Sequence, residues 1–118
     1  MKIYHIFDKV YRVNIYISYG HTKEQFIKDV KRIAHKDIEL HAQATGHLHC
    51  FDVDDVTIYW IWTKKKEIPV LAHEILHCVG YVLGDRNVNW TDNNQEAYCY
   101  YMQFLFKEIL KSDKKGGK

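Results

Sequence analysis

The residues best suited to chemistry are His73, Glu74 and His77, in the pentapeptide His-Glu-Ile-Leu-His inside the largely apolar stretch 68–83. On an α-helix, positions i and i+4 stand one above the other, so the two imidazoles face a single point beside one helix face. That is a metal-chelating arrangement. Glu74 is offset by about 100° from His73, too far round to be the natural third ligand but placed to reach a water held on the metal. It is the candidate general base. Leu71, Ala72, Ile75, Leu76, Val79, Val82 and Leu83 make this helix apolar nearly all round. A central, buried helix is therefore expected, where an unpartnered His-Glu-His cluster would be costly and a metal would remove the cost.

A catalytic zinc takes three protein ligands and leaves a fourth position open, so one further residue must join the histidines. His77-Cys78-Val79-Gly80 extends the motif to H-E-x-x-H-x-x-G, but the place of a third metzincin ligand is then taken by Leu83. Glu96 serves better. It lies nineteen residues beyond His77 (96 minus 77), near the start of the next expected helix, and the polar segment 85–94 can reverse the chain between them. An antiparallel pair of helices would then bring its carboxylate to the imidazoles. Asp85 or a cysteine, Cys78 or Cys99, is the fallback ligand, although small buried packing is the commoner role for cysteine. His47 and His49 form a second pair on one strand face; without a third ligand near in sequence, they are expected to face solvent or a substrate groove.

With these residues the chain resembles the gluzincin branch of the zincin metallopeptidases, whose pattern is H-E-x-x-H followed by a glutamate on a second helix. Asn94-Gln95-Glu96-Ala97-Tyr98 is similar to the short E-A motif of thermolysin-like enzymes, and the compact size resembles small zincin-like proteins of bacteriophages and mobile elements. The likeness spans about residues 68–105 and the preceding strand. It implies His73, His77 and Glu96 as ligands of one Zn2+ per chain and Glu74 as the catalytic glutamate. It further implies a metallopeptidase that hydrolyses peptide bonds through a metal-activated water, and a phage protein would work in the host cytoplasm. One departure stands out: four residues after Glu96, where thermolysin-like enzymes place an aspartate behind a ligand histidine, this chain has Tyr100. Support for the ligands then falls to Tyr100, Asp92, Asp85 or backbone, and Tyr81, Tyr98 and Tyr100 are the candidate oxyanion donors. The competing expectation is a catalytically inactive zincin-fold module that serves structure or protein interaction.

The elements that must position this site follow from periodicity. Residues 2–7 and 10–18, rich in Ile, Val, Tyr and Phe, predict two strands; in the second, Val13, Ile15 and Ile17 alternate with Arg12, Asn14 and Tyr16, so one face is expected to be wet. Thr22 followed by Gln25 is a capping-box signature for a helix from about 22 to the high thirties. Residues 46–51 and 56–63 flank the acidic turn 52–55 and predict a hairpin. Its second strand has Val56, Ile58, Trp60 and Trp62 on one face and Thr57, Tyr59 and Ile61 on the other. Since an extended peptide adding to that strand suits so small a chain, Thr57, Tyr59 and Ile61 mark the candidate substrate edge. Pro69 opens the metal helix and Gly84 closes it. Thr91 or Asp92 caps a last helix with an inward stripe of Ala97, Tyr101, Phe104, Leu105 and Ile109. The order is β-β-α-β-β-α-α, an α+β domain over residues 1–111 with helices packed on one side of a small sheet, and a disordered basic tail over 112–118.

Composition narrows the partners. With 118 residues there is one domain, and 17 Lys plus Arg against 15 Asp plus Glu leave a formal charge of +2, which makes nucleic acid an unlikely partner. An odd count of three cysteines without a C-x-x-C pair predicts a reducing, cytoplasmic setting. Neither a signal peptide nor an apolar run long enough to span a membrane is present in the sequence, so no membrane partner is expected; the expected partner is a peptide or protein substrate in extended form.

Overall fold

Four of the expected elements are strands, and their turn chemistry explains their pairing. In the computed structural model, which describes residues 2–116, β1 (Tyr4–Asp8) and β2 (Val13–Tyr19) pair antiparallel with Asp8 opposite Val13. β3 (Gly46–Val53) and β4 (Val56–Thr63) form the hairpin expected from the acidic turn. Asp54 and Asp55 take φ of 50° and 66°, the left-handed pair that a two-residue type I′ turn requires and that Asp tolerates. The four strands make one sheet in the order β1-β2-β4-β3, with β2 and β4 parallel. β4 is thus an interior strand, hydrogen-bonded on both sides. This corrects the reading of Thr57, Tyr59 and Ile61 as a substrate edge: Tyr59 and Ile61 are fully buried, and the free edge on this side belongs to β3.

Between β2 and β3 lies α1 (Lys23–Ala34), opened as expected by the Thr22 hydroxyl, which accepts from the Gln25 amide at 3.1 Å. It stops earlier than the sequence predicts because His35 turns left-handed, φ 58°, while its amide bonds to the Lys31 carbonyl. The helix α1 packs on one face of the sheet, where Phe26 lies flat against Trp62 with ring centroids 5.3 Å apart. Both buried indoles there are satisfied, Trp60 Nε1 donating to Ser18 Oγ and Trp62 Nε1 to the His21 carbonyl, each at 2.9 Å. On the opposite face sit α2 (Ile68–Asp85) and α3 (Gln95–Gly116) over Ile15, Ile17, Tyr59 and Ile61. The helices therefore lie on both faces, not on one. The cause is β4, which is apolar on both sides and so needs cover on both. The face of β2 expected to be wet is half-covered for the same reason, with Tyr16 packed on Trp60 at 5.1 Å.

Pro69 does sit in the first turn of α2, but Gly84 does not end the helix. The left-handed closing position is Asn87, φ 62°, and the Val88 amide reaches back to the Leu83 carbonyl at 2.8 Å. The inward stripe of α3 is as expected, with Tyr101, Leu105 and Ile109 buried beside Tyr98. Thr91 and Asp92 precede the helix by a turn, and the first intrahelical bonds run instead to the Asn94 carbonyl. α3 also continues through residues 112–116, which were expected to be disordered. Asp113 anchors this end, accepting from the Tyr4 hydroxyl at 2.8 Å and from Lys66 Nζ. Residues 117 and 118 of the expected tail lie outside the described residues. No helix of the described residues is long and apolar enough to cross a membrane.

Candidate functional site

α2 buries Leu71, Ile75, Cys78, Val79, Val82 and Leu83 against the sheet and α3. The stripe left over, at spacing i, i+3, i+4, i+7 and i+8, is His73, Leu76, His77, Gly80 and Tyr81, and it is open to solvent. The helix is therefore not buried all round: Leu76 is 54% exposed, and the histidines do not carry the desolvation cost that full burial would impose. Their geometry is nonetheless convergent. His73 Nε2 and His77 Nε2 stand 3.2 Å apart, close to the edge of about 3.3 Å between two nitrogens on a tetrahedral zinc with bonds of about 2.0–2.1 Å.

Glu74 points the other way, under the sheet edge, and is 6% exposed. Burial raises the pKa of its carboxyl, and the neighbouring His73 and His77 act against that rise. Its neighbour on the strand is Gly46, the first residue of β3, where a Cβ would come within 2.9 Å of Glu74 Oε2. A side chain at this position would collide with the carboxylate. Between α2 and the start of β3 lies a cleft of about 250 Å³ lined by Gly46, His47, His73, Glu74, His77 and Tyr81. His47 belongs to this cleft through the edge strand, and its pKa is lowered by burial and by the nearby His77. His49 stacks instead on Phe51, 4.9 Å between ring centroids.

The other sequence candidates scatter. α3 does pack antiparallel to α2, but its register is displaced: Asp113 meets Lys66 just before α2, and the Tyr98 hydroxyl donates to the Val88 carbonyl just after it. The first turn of α3 is thus level with the end of α2, and Glu96 is exposed there. At 1.5 Å per residue, the eight residues from His77 to Asp85 put that level about 12 Å beyond the histidines. Among the described residues no group of three His, Cys, Asp or Glu side chains is placed to hold a metal ion. Chain comparisons with family models, curated proteins and solved structures gave no match.

Of the tyrosines, Tyr81 alone joins the cleft, 53% exposed beside His77. The Tyr98 hydroxyl is committed to Val88 at 2.6 Å, and Tyr100 faces the β1–β2 turn on the far side of α3. Asp92 lies in the loop and accepts from Gln95 Nε2, while Asp85 accepts from the buried Tyr59 hydroxyl. Sequence reasoning offered a substrate groove as one place for His47, which lines the cleft, but missed the part played by Gly46 beside it. The signal was there in a lone glycine between a polar loop and an alternating strand, which marks close approach of another group.

Proposed function

We propose that this chain is a zinc-dependent hydrolase of peptide bonds on a zincin-like frame, with His73 and His77 holding the metal and Glu74 as the general base. The observation that carries the reading is the 3.2 Å convergence of the two Nε2 atoms at a cleft whose floor is a buried carboxylate. The pair fits two corners of a tetrahedral zinc site; a third protein ligand is not in place among the described residues. Bound there, the metal would supply Lewis acidity to a carbonyl and to a water. The chain supplies the rest. Glu74, its pKa raised by burial, is shifted toward the range in which a carboxylate can both take and return a proton near neutral pH. Tyr81 offers a hydroxyl to a developing oxyanion. The free edge of β3 offers backbone N–H and C=O groups to an extended peptide lying along the cleft.

A second reading, a zincin-like module that binds a partner without cleaving it, is favoured by the register that leaves Glu96 at the far end of α2. One experiment separates the two. Zinc-loaded wild type and Glu74→Gln are incubated with a diverse peptide library and host lysate, and new termini are read by mass spectrometry. Cleavage in wild type and none in the variant, with zinc equal in both, is the expected result. Empty profiles from two zinc-loaded proteins would leave the binding module.

A further inference from the structure

At one end of the molecule two lysine runs meet that stand far apart in sequence. Lys64, Lys65 and Lys66 lead from β4 into α2, and Lys107, Lys111 and Lys114 recur at i, i+4 and i+7 on the outer face of α3, opposite buried Tyr101, Leu105 and Ile109. Bonds to Asp113 from Lys66 Nζ and from the Tyr4 hydroxyl hold the start of α2, the end of α3 and the start of β1 together here. All six lysines are exposed. At 1.5 Å per residue, Lys107 lies only about 10 Å up α3 from Lys114.

The charge of this end departs from that of the whole. Segments 64–67 and 107–114 hold six lysines against Glu67, Glu108 and Asp113, a balance of +3 on twelve residues, so the other 106 residues of a chain with formal charge +2 carry −1. Two of those acids are also turned away from solvent ions: Asp113 is paired with Lys66, and Glu108 borders the cleft beside β1.

Apolar side chains stand among the lysines. Ile68 and Leu110, 49% and 41% exposed, lie within one turn of the Lys66–Asp113 bond on their own helices, and Leu110 shares the outer stripe of α3 with Lys107 and Lys114. Exposed aliphatic residues ringed by ammonium groups suit a lipid surface, where lysines meet anionic headgroups and apolar side chains enter the acyl boundary. A single-stranded nucleic acid would instead seek rings on which to stack its bases. Tyr81 and Tyr100 stand ten or more residues, about 15 Å, along their helices from Ile68 and Leu110. Phe7 points from the sheet face opposite to α2 and α3.

We propose that this end of the molecule docks on an anionic lipid bilayer, with the six lysines against the headgroups and Ile68 and Leu110 in the interface. The sequence-based expectation of no membrane partner rested on the lack of a spanning segment, which surface docking does not need. No residue of the histidine cleft takes part, so the docking is independent of zinc.

The test is co-sedimentation of the whole protein with phosphatidylcholine vesicles, with and without about 30% phosphatidylserine, at about 0.1 and about 0.5 M NaCl. We expect the anionic vesicles to be bound at least about tenfold more tightly than the neutral ones, and the added salt to remove most of the difference. Lys65→Glu with Lys111→Glu reverses two exposed charges and leaves Lys66 on Asp113. Since a lysine at an anionic surface is worth roughly fivefold in affinity, losing two should weaken binding about 25-fold or more. Ile68→Ser with Leu110→Ser should weaken it several-fold and keep the salt dependence. A DNA duplex of about 20 base pairs serves as the competing polyanion. Binding to neither vesicle, equal binding to both, indifference to either pair of substitutions, or duplex binding as tight as vesicle binding would overturn the assignment. The comparison of vesicles uses wild type alone, so it decides even where a variant fails to fold.

Discussion

Gly46 on β3 and Glu74 on α2 share one space: the strand's first residue can approach the helix only because it has no side chain, and a Cβ there would lie 2.9 Å from Glu74 Oε2 and 2.9 Å from Val70 Cγ1. The contact does two things. It closes the sheet edge over the carboxylate and so buries it, and it fixes the carboxylate relative to the two imidazoles on the next face of the helix. Gly46→Ala is therefore expected to destabilise by about 1–3 kcal/mol through overpacking. In a Glu74→Ala background the same change should cost less by roughly 0.5–3 kcal/mol, since half of the collision is gone. Urea denaturation of the four proteins measures this, and equal costs in the two backgrounds would mean that the two residues do not meet.

The proposed metal centre makes a prediction that separates its members. Elemental analysis of protein purified without chelator is expected to give about one zinc per chain in wild type and in Glu74→Gln, and under about a quarter in His73→Ala and His77→Ala. Glu96→Gln should match wild type, because the first turn of α3 stands at the far end of α2. Loss of zinc from Glu96→Gln alone would show that α3 shifts to deliver that carboxylate.

The contrast between Glu96 and the histidines also shows what a sequence of this kind makes legible. All seven elements, the β3–β4 turn, the Thr22 cap and the convergence of His73 with His77 are local, set by spacings of two to four residues, and each is present. Non-local relations were less legible. The parallel contact of β2 with β4 joins residues more than forty positions apart, such as Ile15 and Tyr59, and it is this pairing that places β3 at the edge and β4 inside. The register of α3 on α2 depends on how far α2 runs past His77 before Asn87 reverses the chain, and Gly84 is the more conventional stop in sequence. The two-faced strand β4 was written in Trp60 and Trp62 against Tyr59 and Ile61, yet the sequence reading placed the helices on one side of the sheet, because it did not weigh that both faces of this strand need cover.

The end of α3 offers a check on the whole frame. Though partial burial acts to raise it, bonds from Lys66 and Tyr4 hold the Asp113 carboxyl below its usual pKa. Removal of residues 112–118 should therefore cost on the order of 1 kcal/mol, the worth of a charge-assisted hydrogen bond discounted for its half-exposed lysine. Asp113→Ala should reproduce most of that loss. Thermal denaturation of the truncated protein that superimposes on wild type would place the functional end of the helix before Ser112.

The last prediction concerns His21, where the chain leaves β2 for α1. It is 2% exposed; its Nε2 donates to the Lys2 carbonyl at 3.0 Å, while Nδ1 lies 3.9 Å from Asp29 Oδ2 with no hydrogen-bond partner. Burial lowers its pKa from the ordinary 6.5; the Lys2 carbonyl and Asp29 act to raise it and are outweighed, and Lys66 adds to the lowering. The sign follows. In the unfolded chain His21 takes a proton as pH falls through about 6.5, while in the folded chain it remains neutral to a lower pH, so acid favours unfolding. The contribution is fully present above 6.5 and declines below it, at no more than about 1.4 kcal/mol per pH unit for one proton. His47 and His49, lowered by burial as well, add slopes of the same sign, so the informative quantity is a difference. Urea unfolding between pH 7.5 and pH 5.5 should show wild type losing stability more steeply than His21→Gln, whose amide can still donate to the Lys2 carbonyl. Parallel profiles would mean that His21 titrates alike in both states, and that its burial beside Asp29 is compensated in solution.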